Sequence, residues 1–328
     1  MLSSKVVSIS FLVRIHILEI DKRWEKYYIR KYLDMILNKI KGEMKMINYK
    51  KCSEVDIDLL HEAFQIGFSD YIIKIQMPKE LFVSRFFGPE GNSLEQSFIA
   101  LEENKAIGIV LGGIKSYEGI KTMRCGTLAV APEYRGKGIS QRLMELHKEE
   151  AIKQHCKQLF LEVIVGNDRA ISFYKKLGYE KIFDLTYCTL NEINNLERTN
   201  KLGVHVKHTD IDELKLVRGK IKDIHINWQS DIEYIEKSKG QVTLCAYINE
   251  KIAGVISVNE SSKISFLWVE NGLRHNGIGT NLIAKAAKEL SLSKVTIGFP
   301  NNSSIQGFIN HIGFKRDSIS QYEMYYTL

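Results

Sequence analysis

The sequence predicts an α/β (α+β) chain in which one fold, a mixed and mostly antiparallel twisted sheet flanked by helices, occurs twice. Three observations carry that prediction. The 328 residues exceed what one hydrophobic core usually spans, which favours two domains. The run Arg135-Gly136-Lys137-Gly138-Ile139-Ser140 sits between an apolar strand pattern and a helical one, and Arg274-His275-Asn276-Gly277-Ile278-Gly279 repeats it after Leu267-Trp268-Val269. The order of elements around both runs is also the same, the mark of a repeat.

The first repeat begins at Met46. A strand over 47–52 leads to helices at 55–70 and 78–87, then to strands at about 96–102 and 105–116 joined at Asn104-Lys105. A strand over 120–131 carries the apolar alternation Thr127-Leu128-Ala129-Val130 into the glycine run. A helix at about 138–155 follows, with Leu143, Leu146, His147 and Ala151 at helical spacing. Leu159 to Val165 reads as a buried strand, Asp168 to Leu177 as a short helix, and 179–190 as the closing strands; Asn167 stands at the N-cap and Gly178 at the stop. The polar run 191–202 is a linker. The second repeat reads strand 204–208, helices 211–226 and 230–238, and strands 242–248 and 251–258 about Asn249-Glu250. Strand 263–269, helix 277–290, strand 294–299, helix 302–311 and strand 313–327 complete it. The predicted domains are therefore an extension over 1–45, a first repeat over 46–196 and a second over 203–328, the first expected to be catalytic and the second degenerate from the resemblance described below.

Composition excludes several classes. Five scattered cysteines (Cys52, Cys125, Cys156, Cys188, Cys245) form no CxxC pair and no cluster with His at ligand spacing, so neither a disulfide scaffold nor a metal site is expected, and a cytoplasmic location is. No apolar run approaches the ~20 residues that span a bilayer, so no membrane role is expected. The net charge of +7 is uneven: residues 1–45 hold ten Lys or Arg against five Asp or Glu and supply +5 of it. The remainder is nearly neutral and has no basic patch interleaved with aromatics, which argues against nucleic acid. Lys41-Gly42-Glu43 is encodable as AAA-GGA-GAA, a bacterial ribosome-binding sequence just before Met44 and Met46. Translation from Met46 is the expectation. The alternative is a basic helical extension, since Trp24, Tyr27, Tyr28, Tyr32, Ile36 and Ile40 fall near helical spacing.

A strand, a glycine turn and a helix together form a pocket for phosphates. The glycines admit close backbone approach, and the first free N–H groups of the helix meet the anion with the positive end of the dipole. Arg135 and Lys137 add charge. There is no GxxxxGK[ST] and no dinucleotide fingerprint in a parallel βαβ unit, so a nucleotide-binding enzyme fits poorly.

Arg135-x-x-Gly138-x-Ser140 resembles the acyl-coenzyme A motif of the GNAT N-acetyltransferase superfamily, and Asn167-x-x-Ala170-x-x-x-Tyr174-x-x-x-Gly178-Tyr179 resembles its second motif. Arg274-x-x-Gly277-x-Gly279 and Asn302…Gly313-Phe314 repeat the pattern, with Ile309 at the position of Tyr174 and Ile297 at that of Glu162. Ser140 departs from the usual Gly or Ala and stays small. The resemblance implies a V between two neighbouring strands that receives acetyl-coenzyme A as co-substrate, without a metal.

Acetyl transfer to an amine needs a held thioester, a neutral amine, a stabilised oxyanion and a protonated leaving thiolate. The resemblance assigns the pyrophosphate to the amides of Gly136, Lys137, Gly138, Ile139, Ser140 and Gln141. It sets the backbone of Leu128 and Val130 against the pantetheine arm, with the Val130 N–H at the developing oxyanion. Glu162 becomes the base, Tyr174 the acid, and Asn167 a contact to the pantetheine arm. Each has a plainer reading: Tyr174 as core, Asn167 as an N-cap, Glu162 as an edge residue facing water. Cys125 and Cys188 read as apolar fillers, His147 and His155 as surface residues. Arg274, Gly277 and Gly279 mark a second coenzyme loop whose repeat lacks acid and base. The expected enzyme acetylates the primary amine of a small molecule in a ternary complex. The alternatives are a protein N-terminal or lysine acetyltransferase and a non-catalytic acyl-coenzyme A sensor.

Overall fold

The computed structural model describes residues 27–35, 46–73, 75–193, 196, 203–221, 224–301 and 305–328. The start-signal residues 41–44, Trp24, Ile36, Ile40, most of the linker and Asn302 lie outside them. By contacts the chain divides into two bodies, residues 1–48 and 49–328. In the first, residues 27–35 form a helix on which Tyr27, Tyr28, Tyr32 and Leu33 are exposed.

The first repeat comprises β1 (Ile47–Lys51), α1 (Ile57–Gly67), α2 (Lys79–Phe86), β2 (Ser93–Glu102), β3 (Lys105–Tyr117), β4 (Ile120–Val130), α3 (Ile139–Lys153), β5 (Gln158–Ile164), α4 (Asp168–Lys176) and β6 (Glu180–Leu190). The second comprises β7 (His205–His208), α5 (Ile211–Lys220), α6 (Ile232–Lys237), β8 (Gln241–Ile248), β9 (Lys251–Asn259), β10 (Lys263–Val269), α7 (Ile278–Glu289), β11 (Val295–Pro300), α8 (Gln306–His311) and β12 (Lys315–Thr327). Local chemistry explains many of the boundaries. Asp56, Asn167, Asp210 and Asp231 accept from backbone amides at the starts of α1, α4, α5 and α6. Asn249 and Glu250 both have positive φ (48° and 61°), the type I′ geometry that closes a tight hairpin. On α1, Leu60, Ala63, Phe64 and Gly67 are buried at helical spacing and pack on β3 and β4.

The strands join in one sheet ordered β1-β2-β3-β4-β5-β12-β6-β11-β10-β9-β8-β7. This departs from the expectation that 179–190 closes the first repeat and 313–327 the second: the two closing strands are exchanged. β12 runs antiparallel to β5 from Gln321↔Ile164 to Thr327↔Gln158. β6 runs antiparallel to β11 from Val295↔Leu190 to Pro300↔Leu185. The repeats offer two equivalent open edges, and pairing alone does not tell them apart. Side chains do: a Cβ on Gly298 of β11 would lie 2.7 Å from the ring of Tyr187 on β6, and Tyr325 on β12 meets Phe160 on β5 with centroids 4.9 Å apart. The exchange buries both edges at the centre of the sheet.

Two further differences are local. The helix expected over 211–226 ends at Lys220, and Ile226 takes its partners from the first repeat: its N–H donates to Glu118 (3.2 Å) and its carbonyl accepts from the Tyr117 hydroxyl (2.7 Å). His147, read as a surface residue, is fully buried over Gly112 with neither ring nitrogen bonded to protein. Burial lowers it to about 4.

Candidate active site

β4 and β5 are paired in parallel only where Thr122–Cys125 face Gln158–Leu161. Both strands continue beyond that point, so they part and leave a V. The Ala131 N–H donates to the Ile107 carbonyl at 2.9 Å. Strand alternation therefore turns the polar backbone of Leu128 and Val130 away from β3 and toward the parting edge. At the mouth, Gly136 and Gly138 have φ of 74° and 84°, and Gly138 caps α3 with no side chain on the first amides. The first intrahelical bond is Arg142 N–H to the Gly138 carbonyl (3.0 Å). The amides of Ile139, Ser140 and Gln141 thus have no acceptor in the helix, the arrangement that favours an anion.

The side chains of that loop are disposed differently from the expectation. Arg135 Nε donates to the Val130 carbonyl (2.9 Å), and its Nη atoms bind the Asp70 carboxylate (2.5 and 2.7 Å) and the Gly67 carbonyl (2.9 Å). With its donors so engaged, the Arg135 guanidinium braces β4 against the end of α1 instead of offering charge to a phosphate. Lys137 is exposed, with Nζ over the Tyr134 ring at 4.8 Å. The Gln141 side chain bonds Glu145, and Arg142 pairs with Glu145 and Glu149.

Tyr174 is buried beside Cys125 and Tyr71, and burial, then those two neighbours, holds its phenol well above the usual range. Asn167 caps α4, its Oδ1 accepting from Ala170 N–H at 3.3 Å. Burial raises Tyr71, and an interaction with Asn167 offsets part of that. Asn167, Tyr174 and Tyr71 therefore converge beside the V. The sequence reading missed Tyr71, which lies in a stretch without a motif.

Glu162 is not the water-facing edge residue of the plainer reading but a buried, ion-paired carboxylate. Its side chain is 3% exposed, and Oε2 accepts from Arg124 Nε (3.0 Å), Arg124 Nη2 (2.5 Å) and Gln229 Nε2 (3.2 Å). Oε1 is buried with no partner in the protein. Arg124 also holds Glu90 (2.8 Å), and the Trp228 indole donates to the Glu90 carbonyl (3.3 Å). The surrounding charges continue the pattern. Lys115 pairs with Asp231 (2.7 Å), and burial depresses Lys263 to about 8 despite Glu90 and Glu162. An arginine inside the apolar β4 pattern was the readable signal for this cluster. The contribution of residues 228–231 from the second repeat had none.

In the second repeat, β10 and β11 pair only at Lys263↔Thr296 and Ile264↔Ile297, and the V beyond opens into a cavity of about 910 Å³. Phe266, Trp268, Phe299 and Phe308 wall it, and Gly277, Gly279 and Thr280 stand at one end. Gly277 has φ of 78° and caps α7 without a side-chain bond, as Gly138 caps α3. Arg274 Nε donates to the Val269 carbonyl at 3.2 Å, matching Arg135 on Val130. Gly279 is needed for packing: a Cβ would come within 2.9 Å of Phe308. Ile309 is fully buried where Tyr174 stands in the first repeat. Among the described residues no group of three His, Cys, Asp or Glu is placed to hold a metal ion, and no helix is long and apolar enough to cross a membrane.

The chain is similar to known proteins. The acetyltransferase (GNAT) family matches residues 59–179, and an acetyltransferase (GNAT) domain matches 221–326. N-alpha-acetyltransferase 30 of Schizosaccharomyces pombe is 33% identical over 104 residues, 31% of this chain and 67% of that protein. Its namesake in Saccharomyces cerevisiae is 27% identical over 121 residues, 35% of this chain and 68% of that protein. A tandem GNAT protein from the clavulanic acid biosynthesis pathway superposes with a TM-score of 0.65 at 13% identity, over 86% of this chain and 98% of that one. A GCN5-related N-acetyltransferase from Sphaerobacter thermophilus gives 0.63 at 12% identity, over 86% and 95%. The two structures share the fold. Two V-shaped clefts, each followed by a glycine-capped helix and each covered by a match to the same family, make the chain a tandem member of the GNAT acetyltransferase family, an acyltransferase whose fold implies use of an acyl-coenzyme A.

Proposed function

We propose that the first repeat transfers an acetyl group from acetyl-coenzyme A to the primary amine of a small molecule, by direct attack in a ternary complex. The observation that carries this reading is Tyr174, buried and protonated beside the V with Asn167 and Tyr71. The amides from Gly136 to Gln141 hold the pyrophosphate, and the backbone edge of Leu128 and Val130 pairs with the pantetheine arm. The amine nitrogen forms its bond to the thioester carbonyl carbon while the Val130 N–H stabilises the oxyanion. Collapse breaks the C–S bond, and Tyr174 donates to the departing thiolate. Glu162 Oε1, the unpartnered oxygen, is the acceptor for the amine proton. The second repeat lacks both groups and holds coenzyme without transferring from it.

A small acceptor is supported by the covering of Phe160 and Glu162 by Trp228 and Gln229, which narrows access to that part of β5. The five unpaired, buried cysteines support a reducing compartment such as the cytoplasm. A second reading, transfer to the α-amine of a peptide, is favoured by the relatives named N-alpha-acetyltransferase 30. Thiol release measured over a panel of small amines and free-N-terminus peptides separates the two. Gly138→Val blocks the first loop and is expected to abolish turnover; a folded variant with unchanged turnover overturns the site.

A further inference from the structure

Residues 225–230 face two ways. His225, Ile226, Asn227 and Ser230 line the cavity of the second repeat. Trp228 and Gln229 reach into the first: the indole stacks on Phe160, centroids 5.6 Å apart and planes at 21°, and Gln229 holds Glu162 Oε2. A second connection runs through His225. Its Nε2 pairs with Glu323 Oε2 at 2.5 Å, and Glu323 lies directly opposite Glu162 in the β5–β12 ladder. The wall of the cavity therefore includes the segment that also contacts Glu162.

The cavity also indicates its occupant. The amides of Ile278, Gly279 and Thr280 precede the first bond of α7 (Asn281 N–H to Gly277 O, 2.9 Å) and suit a phosphate. The parting edges of β10 and β11 suit an extended arm of amides, and aromatic walls suit its apolar end. Phosphate, amide arm and apolar end together describe a coenzyme A-type ligand, and Ile309 and Ile297 leave no group there to act on it.

We propose that this cleft is an effector site for a ligand of coenzyme A type, free or acylated, whose occupancy activates the first repeat by drawing residues 225–230 away from Glu162. The inference rests on the first repeat being the catalytic one. In the arrangement described, Glu162 Oε2 is shared by Arg124 and Gln229 while Oε1 is buried without a donor. The Gln229 contact is one bond of 3.2 Å to an oxygen that Arg124 already holds through two donors, so contacts made elsewhere by the segment can compete with it.

The test uses the full chain labelled with 5-fluorotryptophan, whose three tryptophans give three fluorine resonances, that of Trp228 identified by its loss in Trp228→Phe. Coenzyme A is titrated into the Gly138→Val chain, where only the second loop is open. One equivalent should bind and the Trp228 resonance should move; adding Gly277→Asp, which places a carboxylate against the phosphate in a residue type that tolerates positive φ, should remove both effects. With the first loop intact, Gly277→Asp should lower kcat at least about fivefold at saturating acetyl-coenzyme A, leaving first-site affinity unchanged. Gln229→Leu in that background should restore the rate and the wild-type pH profile. A Trp228 resonance unmoved by bound ligand, or a folded Gly277→Asp chain with wild-type kcat, overturns the inference. A wild-type chain that acetylates nothing in the panel overturns the catalytic reading instead, and the fluorine titration still decides the link.

Discussion

Glu162 and Glu323 are directly opposed in the β5–β12 ladder, two buried carboxylates brought together by the exchange of closing strands. Like charges facing one another across a ladder are unfavourable, and each here has its own cation. Arg124 holds Glu162; His225 holds Glu323 at 2.5 Å and lies 3.0 Å from Glu118. The charges around Glu162 in the first repeat and those at the junction between repeats are one cluster.

His225 should make stability fall at high pH. Burial alone would depress it, but Glu118 and Glu323 outweigh burial and raise it to about 9. Its stabilisation is fully present below the unfolded value near 6.5 and is lost as pH rises through about 9. Thermal unfolding followed from pH 6.5 to 9.5 should show a falling Tm that His225→Ala flattens. That variant, leaving Glu323 buried without its cation and with only the Tyr325 hydroxyl as donor, should cost about 3–5 kcal/mol at pH 6.5.

His147 should act at the other end of the pH range. Its value is lowered to about 4 by burial alone, so the unfolded chain binds a proton that the folded chain refuses between about 4 and 6.5. Stability from this group is present above 6.5 and is lost as pH falls toward 4, by up to about 3 kcal/mol. Between pH 7 and 4 the denaturant midpoint of wild type should fall further than that of His147→Leu. Parallel curves would remove the histidine as the cause.

Tyr174→Phe keeps the ring and removes the hydroxyl, so coenzyme affinity should hold while the chemical step slows. General acid catalysis is worth ~10²–10⁴ in rate. The low end is expected, because a phenol held above its usual range is a weak acid and a thiol near ~8.5 leaves readily. Single-turnover transfer on the best amine of the panel gives the number, and a wild-type rate removes the acid role.

Neither repeat should fold properly alone. Residues 46–202 lack β12 beside β5, and residues 203–328 lack β6 beside β11. Each half expressed separately should aggregate or self-pair on size-exclusion chromatography, and the two co-expressed should reconstitute one soluble species. A monomeric, cooperatively unfolding 46–202 fragment would contradict the exchange.

What the sequence determined by itself was local. Strand alternation, helical spacing, the cap at Asn167, the stop at Gly178 and the turn at Asn249-Glu250 depend on neighbours a few residues away, so nearly every element was legible, as were the two glycine loops and the position of Tyr174. Tertiary structure decided what depends on distant partners. The exchange of β6 and β12 turns on choosing between two equivalent edges, which alternation cannot distinguish. Glu162 reads in sequence as an isolated carboxylate, yet its partners Arg124 and Gln229 stand 38 and 67 residues away. Arg135 reads as a phosphate ligand until Asp70 and Gly67 are brought beside it, 65 and 68 residues distant in the chain. His147 reads as exposed from its polarity although it shares helical spacing with Leu143 and Ala151, and that Gly112 leaves room for its ring shows only in the packed structure. Local pattern specifies the elements; burial and charge pairing over long separations specify what their side chains do.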